Sequence, residues 1–197
     1  SKVKNVLVIG GSGFLGQAIC NQLAKAGYRI TVPTRRIEKA KHLLTLPTCQ
    51  LLEANIHDRA TLGKLVAGKD LVVNLLGVLH SKPGKPYGQN FRVNHVEFPK
   101  ALCAVMAKYG VKRIVHVSAL GVGVQNPAPS MYLRSKTDGE AAVKDSGFMD
   151  NSEAVGGFWA RFNAGHTFAH IIRALLKLIQ QLFHGCVVFL RGLCIAL

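Results

Sequence analysis

The sequence has no low-complexity tract, no CxxC pair and no extended basic run. The first absence, with 49% hydrophobic residues, excludes a disordered or fibrous chain. The second leaves Cys20, Cys49, Cys103, Cys186 and Cys194 without zinc-site or redox-motif spacing, and their odd number fits reduced, mostly buried thiols. His57, His80, His95 and His116 form no spaced ligand set either, so no metal site is expected, and His116 reads as a satisfied core residue. Acidic residues are scarce, 10 against 25 Lys and Arg, for a formal charge of +15. The cations are scattered from Lys2 to Arg191 with no aromatics interleaved as a stacking platform. That pattern argues against nucleic acid and for a surface that attracts phosphorylated cofactors or an anionic membrane. A charged n-region and h-region are also missing, since strand-like residues begin almost at once. A cytoplasmic location is the expectation.

What is present is a regular alternation. Val6–Ile9, Arg29–Val32, Gln50–Glu53, Leu71–Leu76 and Arg113–Ser118 are short runs of the kind buried on both faces of a sheet. Helix-length segments separate them at Phe14–Ala26, Ile37–Leu46, Thr61–Ala67 and Phe91–Tyr109. Five strands alternating with helices in this way predict an α/β fold with a doubly wound parallel sheet and right-handed crossovers. Gly27 and Gly110 fall where a left-handed helix terminator is cheapest. KPGKPYG, Lys82–Gly88, reads as a flexible loop beside a cofactor or substrate.

The first strand runs into GGSGFLG, with Gly10, Gly13 and Gly16 three apart and Phe14 and Leu15 opening the next helix. Glycines there permit a tight turn, a close approach to a pyrophosphate and close packing of helix on strand, while the helix N-terminus offers unpaired N–H groups to the phosphates. The second strand ends in VPTRR. With Arg35 and Arg36 present and no carboxylate before Glu38, the preferred cofactor is NADP(H), with NAD(H) the alternative. In MYLRSKTDGE, Tyr132 and Lys136 are one helical turn apart on one face. At that spacing an ammonium can lower a phenol pKa and let Tyr132 exchange a proton with a carbonyl or alcohol.

The GxxGxxG turn and the YxxxK pair resemble the short-chain dehydrogenase/reductase superfamily in its extended or atypical branch, and hence a Rossmann fold. KNVLVIGGSGFLG, NLLGVL, FRVNHVEFPKAL, VKRIVHVSALG and YLRSKTDGE, in that order, resemble the NADH:ubiquinone oxidoreductase 39 kDa-subunit-like members over about residues 4–147. The resemblance implies adenine contacts at Asn55 and Ile56, where relatives often carry Asp in place of Asn55. It also implies that Leu76 and Gly77 pass beneath the ribose and nicotinamide, and that Tyr132 and Lys136 contact the cofactor as well as act in catalysis. Ser118, the lone hydroxyl of VSALGV, stands near the usual substrate-binding hydroxyl.

Three functions stay open: a reductase using Tyr132 and Lys136; an NADPH-holding accessory, assembly or quinone-pathway protein without turnover; and a nucleotide-sugar epimerase or dehydratase. The resemblance adds association with a respiratory complex, or peripheral binding at the inner face of a membrane. Substrate identity is not legible.

The pattern stops after Gly147. The resemblance implies a sixth strand similar to WTILRPSVVFG, but the chain reads FMDNSEAVGGFWAR. Read one base later, Met149–Asp150 forces Trp, Glu153 forces Arg or Lys, and Trp159 forces Gly. The codons between permit Pro-Ser-Val-Val. Residues 1–147 are therefore expected to be the cofactor-binding domain, and 148–197 an apolar, basic, frameshifted tail without a native substrate domain. Five native strands, with the fifth left as an unpaired apolar edge, would make the chain associate. The other reading of the tail is an amphipathic stripe, Ile171 to Phe183, on a membrane surface. Arg173, Lys177, His184 and Arg191 interrupt it too often for a spanning helix.

Overall fold

The computed structural model describes residues 4–119, 122, 125, 128–146, 158–161, 173, 177 and 187–191. Parallel strands β1 (Asn5–Ile9), β2 (Arg29–Thr34), β3 (Cys49–Glu53), β4 (Leu71–Asn74) and β5 (Ile114–Val117) lie in the order β3-β2-β1-β4-β5. Helices α1 (Phe14–Lys25), α2 (Ile37–Ala40), α3 (Arg59–Val66), α4 (Gln89–Phe91), α5 (Phe98–Lys108) and α6 (Met131–Lys144) connect or flank them.

The apolar runs are strands because both faces are covered. Val6 and Val8 of β1 pack with Ile19, Leu23 and Leu43 on one side, whereas Leu7 and Ile9 pack with Leu62, Leu102 and Met106 on the other. All of these side chains are buried. Burying each contributes roughly 1.5–3 kcal/mol. The strand order reverses between β1 and β4, which opens a crevice beyond their C-terminal ends.

Local departures from the sequence reading have local causes. β4 ends at Asn74 rather than Leu76, because the Asn74 Oδ1 accepts the Leu76 N–H at 3.2 Å and bends the chain out of the ladder. The second helix tightens into a 3-10 turn at Lys41–Thr45. The fourth contains a π-helical stretch, Arg92–Glu97, between α4 and α5. Gly27 and Gly110 have the expected positive φ.

The expected bare edge of β5 is a correction. β7 (Val187–Arg191) pairs with it in parallel, Ile114 with Val187 through Val117 with Leu190, and β6 (Phe158–Arg161) continues outside β7. An open parallel edge is a row of unpaired backbone groups, and the backbone of β7 supplies partners for it. The five anticipated strands thus sit in a seven-stranded sheet.

Candidate functional site

β1 delivers the chain to Gly10, whose φ of +79° turns it sharply against the Leu75 backbone. A Cβ on Gly16 would fall on Gly11 Cα and Gly10 O, so α1 starts pressed onto the turn. Gly13 caps α1 with extended backbone and no side-chain hydrogen bond. The first-turn N–H groups of a 12-residue helix are thus left without a side-chain acceptor, an arrangement suited to phosphate oxygens.

Beyond this turn lies a cleft of about 590 Å³. Gly10 and Ser12 line one side, Thr34, Arg35, Arg36 and Lys39 the end of β2, and Ile56 and His57 the end of β3. Leu76, Val78, Asn90 and Asn94 close the other side, and no Asp or Glu is in the lining. Arg35, Arg36 and Lys39 are exposed. Burial first, then the Arg35 charge, lowers the His57 pKa, with Asn94 opposing. An uncapped helix start, a cradle that a Cβ would fill and a lining rich in cations fit a phosphorylated dinucleotide.

The remaining expected residues are spread around this cleft. Gly13 is exposed, Leu15 packs against the core beside β1, and Phe14 begins α1. Asn55 stands outside the lining and accepts the His57 N–H at 3.0 Å, which shapes the loop that presents Ile56. Gly77 is exposed, between Leu76 and Val78. Lys39 and His57 lie in no motif, while Val78 and Asn94 fall inside NLLGVL and FRVNHVEFPKAL with no site role attached to them. They are found only once β2, β3, β4 and the π-helical stretch converge.

Tyr132 and Lys136 sit beside the cleft, on α6, without lining it. The Ser130 Oγ starts the helix by accepting the Leu133 N–H at 3.2 Å. Tyr132 is half-buried and meets the rings of Phe91 and His95 edge-on, at 5.9 and 5.5 Å between centroids. Lys136 is buried, and its Nζ donates to the Val117 carbonyl at 3.0 Å. Burial lowers its pKa to about 8, against the opposing pull of Glu140. Ser118, also buried, donates its hydroxyl to the Glu140 Oε2 at 2.7 Å, and Lys144 pairs with the Glu140 Oε1 at 3.0 Å. Glu140 is therefore the anion of an internal network that includes Ser118 and faces Lys136.

A second buried network bends the chain beneath the cleft. Asn74 and His116 are register partners on β4 and β5. The Asn74 Nδ2 lies 3.1 Å from the His116 Nδ1. The amide donates, so the other ring nitrogen of neutral His116 carries its proton. Burial, helped by Lys136, lowers the His116 pKa to about 3, as befits a satisfied core histidine. The loop at Lys82–Gly88 is anchored rather than free: the Tyr87 hydroxyl donates to Asp138 at 2.6 Å, and the Arg134 Nε donates to the Pro86 carbonyl at 3.0 Å. Both partners lie on α6, so this loop is tied to the Tyr132 helix.

Among the described residues no helix is long and apolar enough to cross a membrane, and no cluster of three or more His, Cys, Asp or Glu is arranged to hold a metal. Residues 6–146 match the NAD dependent epimerase/dehydratase family. The chain is 31% identical over 141 residues to NADH dehydrogenase [ubiquinone] 1 alpha subcomplex subunit 9, mitochondrial, of Rattus norvegicus, which covers 70% of this chain and 36% of that protein. It is 28% identical over 174 residues to UDP-glucose 4-epimerase of Bacillus subtilis, covering 76% and 50%. The chain thus spans about a third to a half of these relatives. An oxidoreductase from Lactococcus lactis shares the fold, with a TM-score of 0.70 at 13% identity over 93% of this chain and 88% of that one. Glycine turn, cleft and helix pair lie within the matched residues, and the chain belongs to the NAD dependent epimerase/dehydratase family, with likeness to 39 kDa-type complex I subunits and a Rossmann-like fold.

Proposed function

We propose that the chain binds NADP(H) in the cleft and that Tyr132, with Lys136, exchanges a proton with a carbonyl or alcohol substrate. The observation that carries the cofactor reading is the lining at the end of β2: Arg35, Arg36 and Lys39, with no carboxylate. A 2′-phosphate finds cations there, whereas a free 2′-hydroxyl finds no carboxylate acceptor. Gly10, Gly13, Gly16 and the α1 N-terminus hold the pyrophosphate, with Phe14 and Leu15 opening that helix. Asn55 and Ile56 border the adenine, and Leu76 and Gly77 the nicotinamide side. When bound, the dinucleotide supplies or accepts a hydride. Lys136, held by the Val117 carbonyl and faced by Glu140, keeps positive charge on the Tyr132 side of α6. Ser118 supports that geometry through Glu140 and is the third member of the set. The test is the affinity for NADPH against NADH in the protein and in an Arg35→Ala/Arg36→Ala variant. The double variant loses about ten- to a hundredfold for NADPH, the scale of charge-assisted hydrogen bonds, and little for NADH.

A second reading rests on Ser118. Its hydroxyl proton goes to Glu140, which favours an accessory, assembly or quinone-pathway protein that holds NADPH without turning over. The likeness to complex I subunits supports the same reading and a place on a respiratory complex or at the inner, cytoplasmic face of a membrane. The Bacillus relative supports a third, a nucleotide-sugar epimerase or dehydratase. Tyr132→Phe separates them: loss of a measurable carbonyl reduction or epimerisation supports an enzyme, while unchanged NADPH retention with no turnover in either form supports the accessory role.

The domain reading is residues 1–147 as the cofactor module and 148–197 as a frameshifted tail. Two observations support it. The family match ends at Ser146. The doubly wound pattern adds the strand after α6 directly to β5, whereas here β7 takes that place and β6 lies outside it. Sequencing the DNA across codons 144–162 decides the matter: third bases that forbid Pro-Ser-Val-Val in the shifted frame defeat the reading.

A further inference from the structure

His95 has no role in the cofactor or proton chemistry described above, yet it lies between the two halves of the site. It is buried in the π-helical stretch, one residue from Asn94 of the cleft lining. Its Nε2 is 3.0 Å from the Val78 backbone nitrogen, which can only donate. The Nε2 is therefore an acceptor, and the ring proton of the neutral imidazole is on Nδ1. That nitrogen lies 2.8 Å from the Ser135 Oγ, and the Ser135 hydroxyl donates at 2.8 Å to the Tyr132 carbonyl. Every proton in the series has one direction: Val78 N–H to His95, His95 Nδ1–H to Ser135, and Ser135 O–H to the backbone of Tyr132.

Packing holds this series in place. The imidazole stacks on Phe91 at 5.3 Å and 15° and meets Tyr132 edge-on at 88°. A Cβ on Gly139 would collide with the His95 carbonyl, so α6 lies directly on the His95 backbone. Burial first, then the Lys136 charge, lowers the His95 pKa to about 3, which keeps the ring neutral at physiological pH. On the other side, Asn74 already fixes Leu76. The turn after β4 is thus pinned at Leu76 from within the sheet and at Val78 from the Tyr132 helix.

We propose that His95, locked in its Nδ1–H tautomer, is a positioning residue that couples the nicotinamide-side turn at Leu76–Val78 to Tyr132. This rests on the reading that the cleft holds NADP(H) with its nicotinamide beside Leu76. A residue that only filled space would be replaceable by another ring. A coupling residue acts on one half of the cofactor, because Arg35, Arg36 and the adenine loop are on other elements.

The experiment uses the full chain and two probes, NADPH and 2′,5′-ADP, which has the 2′-phosphate and adenine but no nicotinamide. His95→Phe is expected to bind NADPH about tenfold more weakly, the scale of one lost hydrogen bond, and 2′,5′-ADP unchanged. His95→Gln keeps an acceptor for Val78 and recovers most of the loss. Nitrogen-15 NMR of the wild-type imidazole is expected to show a protonated Nδ1 and a bare Nε2. Hydrogen exchange at the Val78 amide is expected to accelerate about tenfold in His95→Phe and much less in His95→Gln. A wild-type Nε2–H tautomer, equal losses for both probes, or unchanged NADPH affinity in a folded His95→Phe overturns the proposal. If the wild type binds neither probe, the NADP(H) reading fails, and the tautomer and the Val78 exchange still decide whether His95 pins the turn. Should His95→Phe not fold, His95→Gln and the wild-type tautomer carry the test.

Discussion

The two ends of the candidate site are built on opposite physical terms. At the β2 end, Arg35, Arg36 and Lys39 are exposed cations on a loop and a one-turn helix. At the α6 end, His95, His116, Lys136 and Glu140 are buried, and hydrogen bonds to groups on other elements account for their orientation. Exposed charges select a ligand by attraction, are screened by salt and contribute little to the fold. Buried polar groups stabilise only when fully paired, so their removal damages the fold before it changes selectivity. Recognition and chemistry are therefore expected to be separable by mutation.

The largest effect of a single substitution that would break this contrast is at Glu140. Glu140→Ala leaves Lys136 buried without its facing carboxylate and Ser118 without its acceptor. A loss of about 3–5 kcal/mol is expected in urea unfolding, the scale for breaking a buried pair. A loss below about 1 kcal/mol would place Glu140 with the exposed charges. Next is acid. His95 and His116 are lowered to about 3 from 6.5, so the unfolded chain takes up protons below pH 6.5 that the folded chain refuses until about pH 3. Stability is thus full above pH 6.5 and falls towards pH 3, by up to about 1.4 kcal/mol per pH unit for each histidine. Unfolding midpoints measured from pH 7 to 4 should fall more steeply in the wild type than in His116→Gln. The smallest effect is at the start of α6. Ser130→Ala removes the N-cap acceptor and is expected to cost about 1 kcal/mol in thermal or urea unfolding, with NADPH affinity unchanged.

The same contrast explains what the sequence made legible. β1 to β5 were readable because strands buried on both faces are written as contiguous apolar runs, and the glycine turn because its steric demands fall within seven residues. Arg35 and Arg36 were readable for a similar reason, since they adjoin the end of β2. His95, Glu140 and Lys39 were not. His95 acquires its role from Val78 and Ser135, 17 and 40 positions away, and Glu140 from Ser118, 22 positions away. A lone polar residue carries no period that reveals such partners. β4 ends before its apolar run does because the Asn74 side chain, rather than any turn residue, draws Leu76 out of the ladder. The cover on the β5 edge is not legible in the alternation before Gly147, since the strand that supplies it lies 70 residues further along the chain, from Val117 to Val187.

The central claim is that exposed cations at the end of β2 choose the cofactor. Its most direct test is the ratio of NADPH to NADH affinity across ionic strength, measured by equilibrium titration of the 197-residue chain. NADPH is expected to bind at least about tenfold tighter than NADH at low salt, with the preference shrinking as salt screens Arg35, Arg36 and Lys39. Equal affinities, tighter NADH binding or a preference indifferent to salt would contradict it.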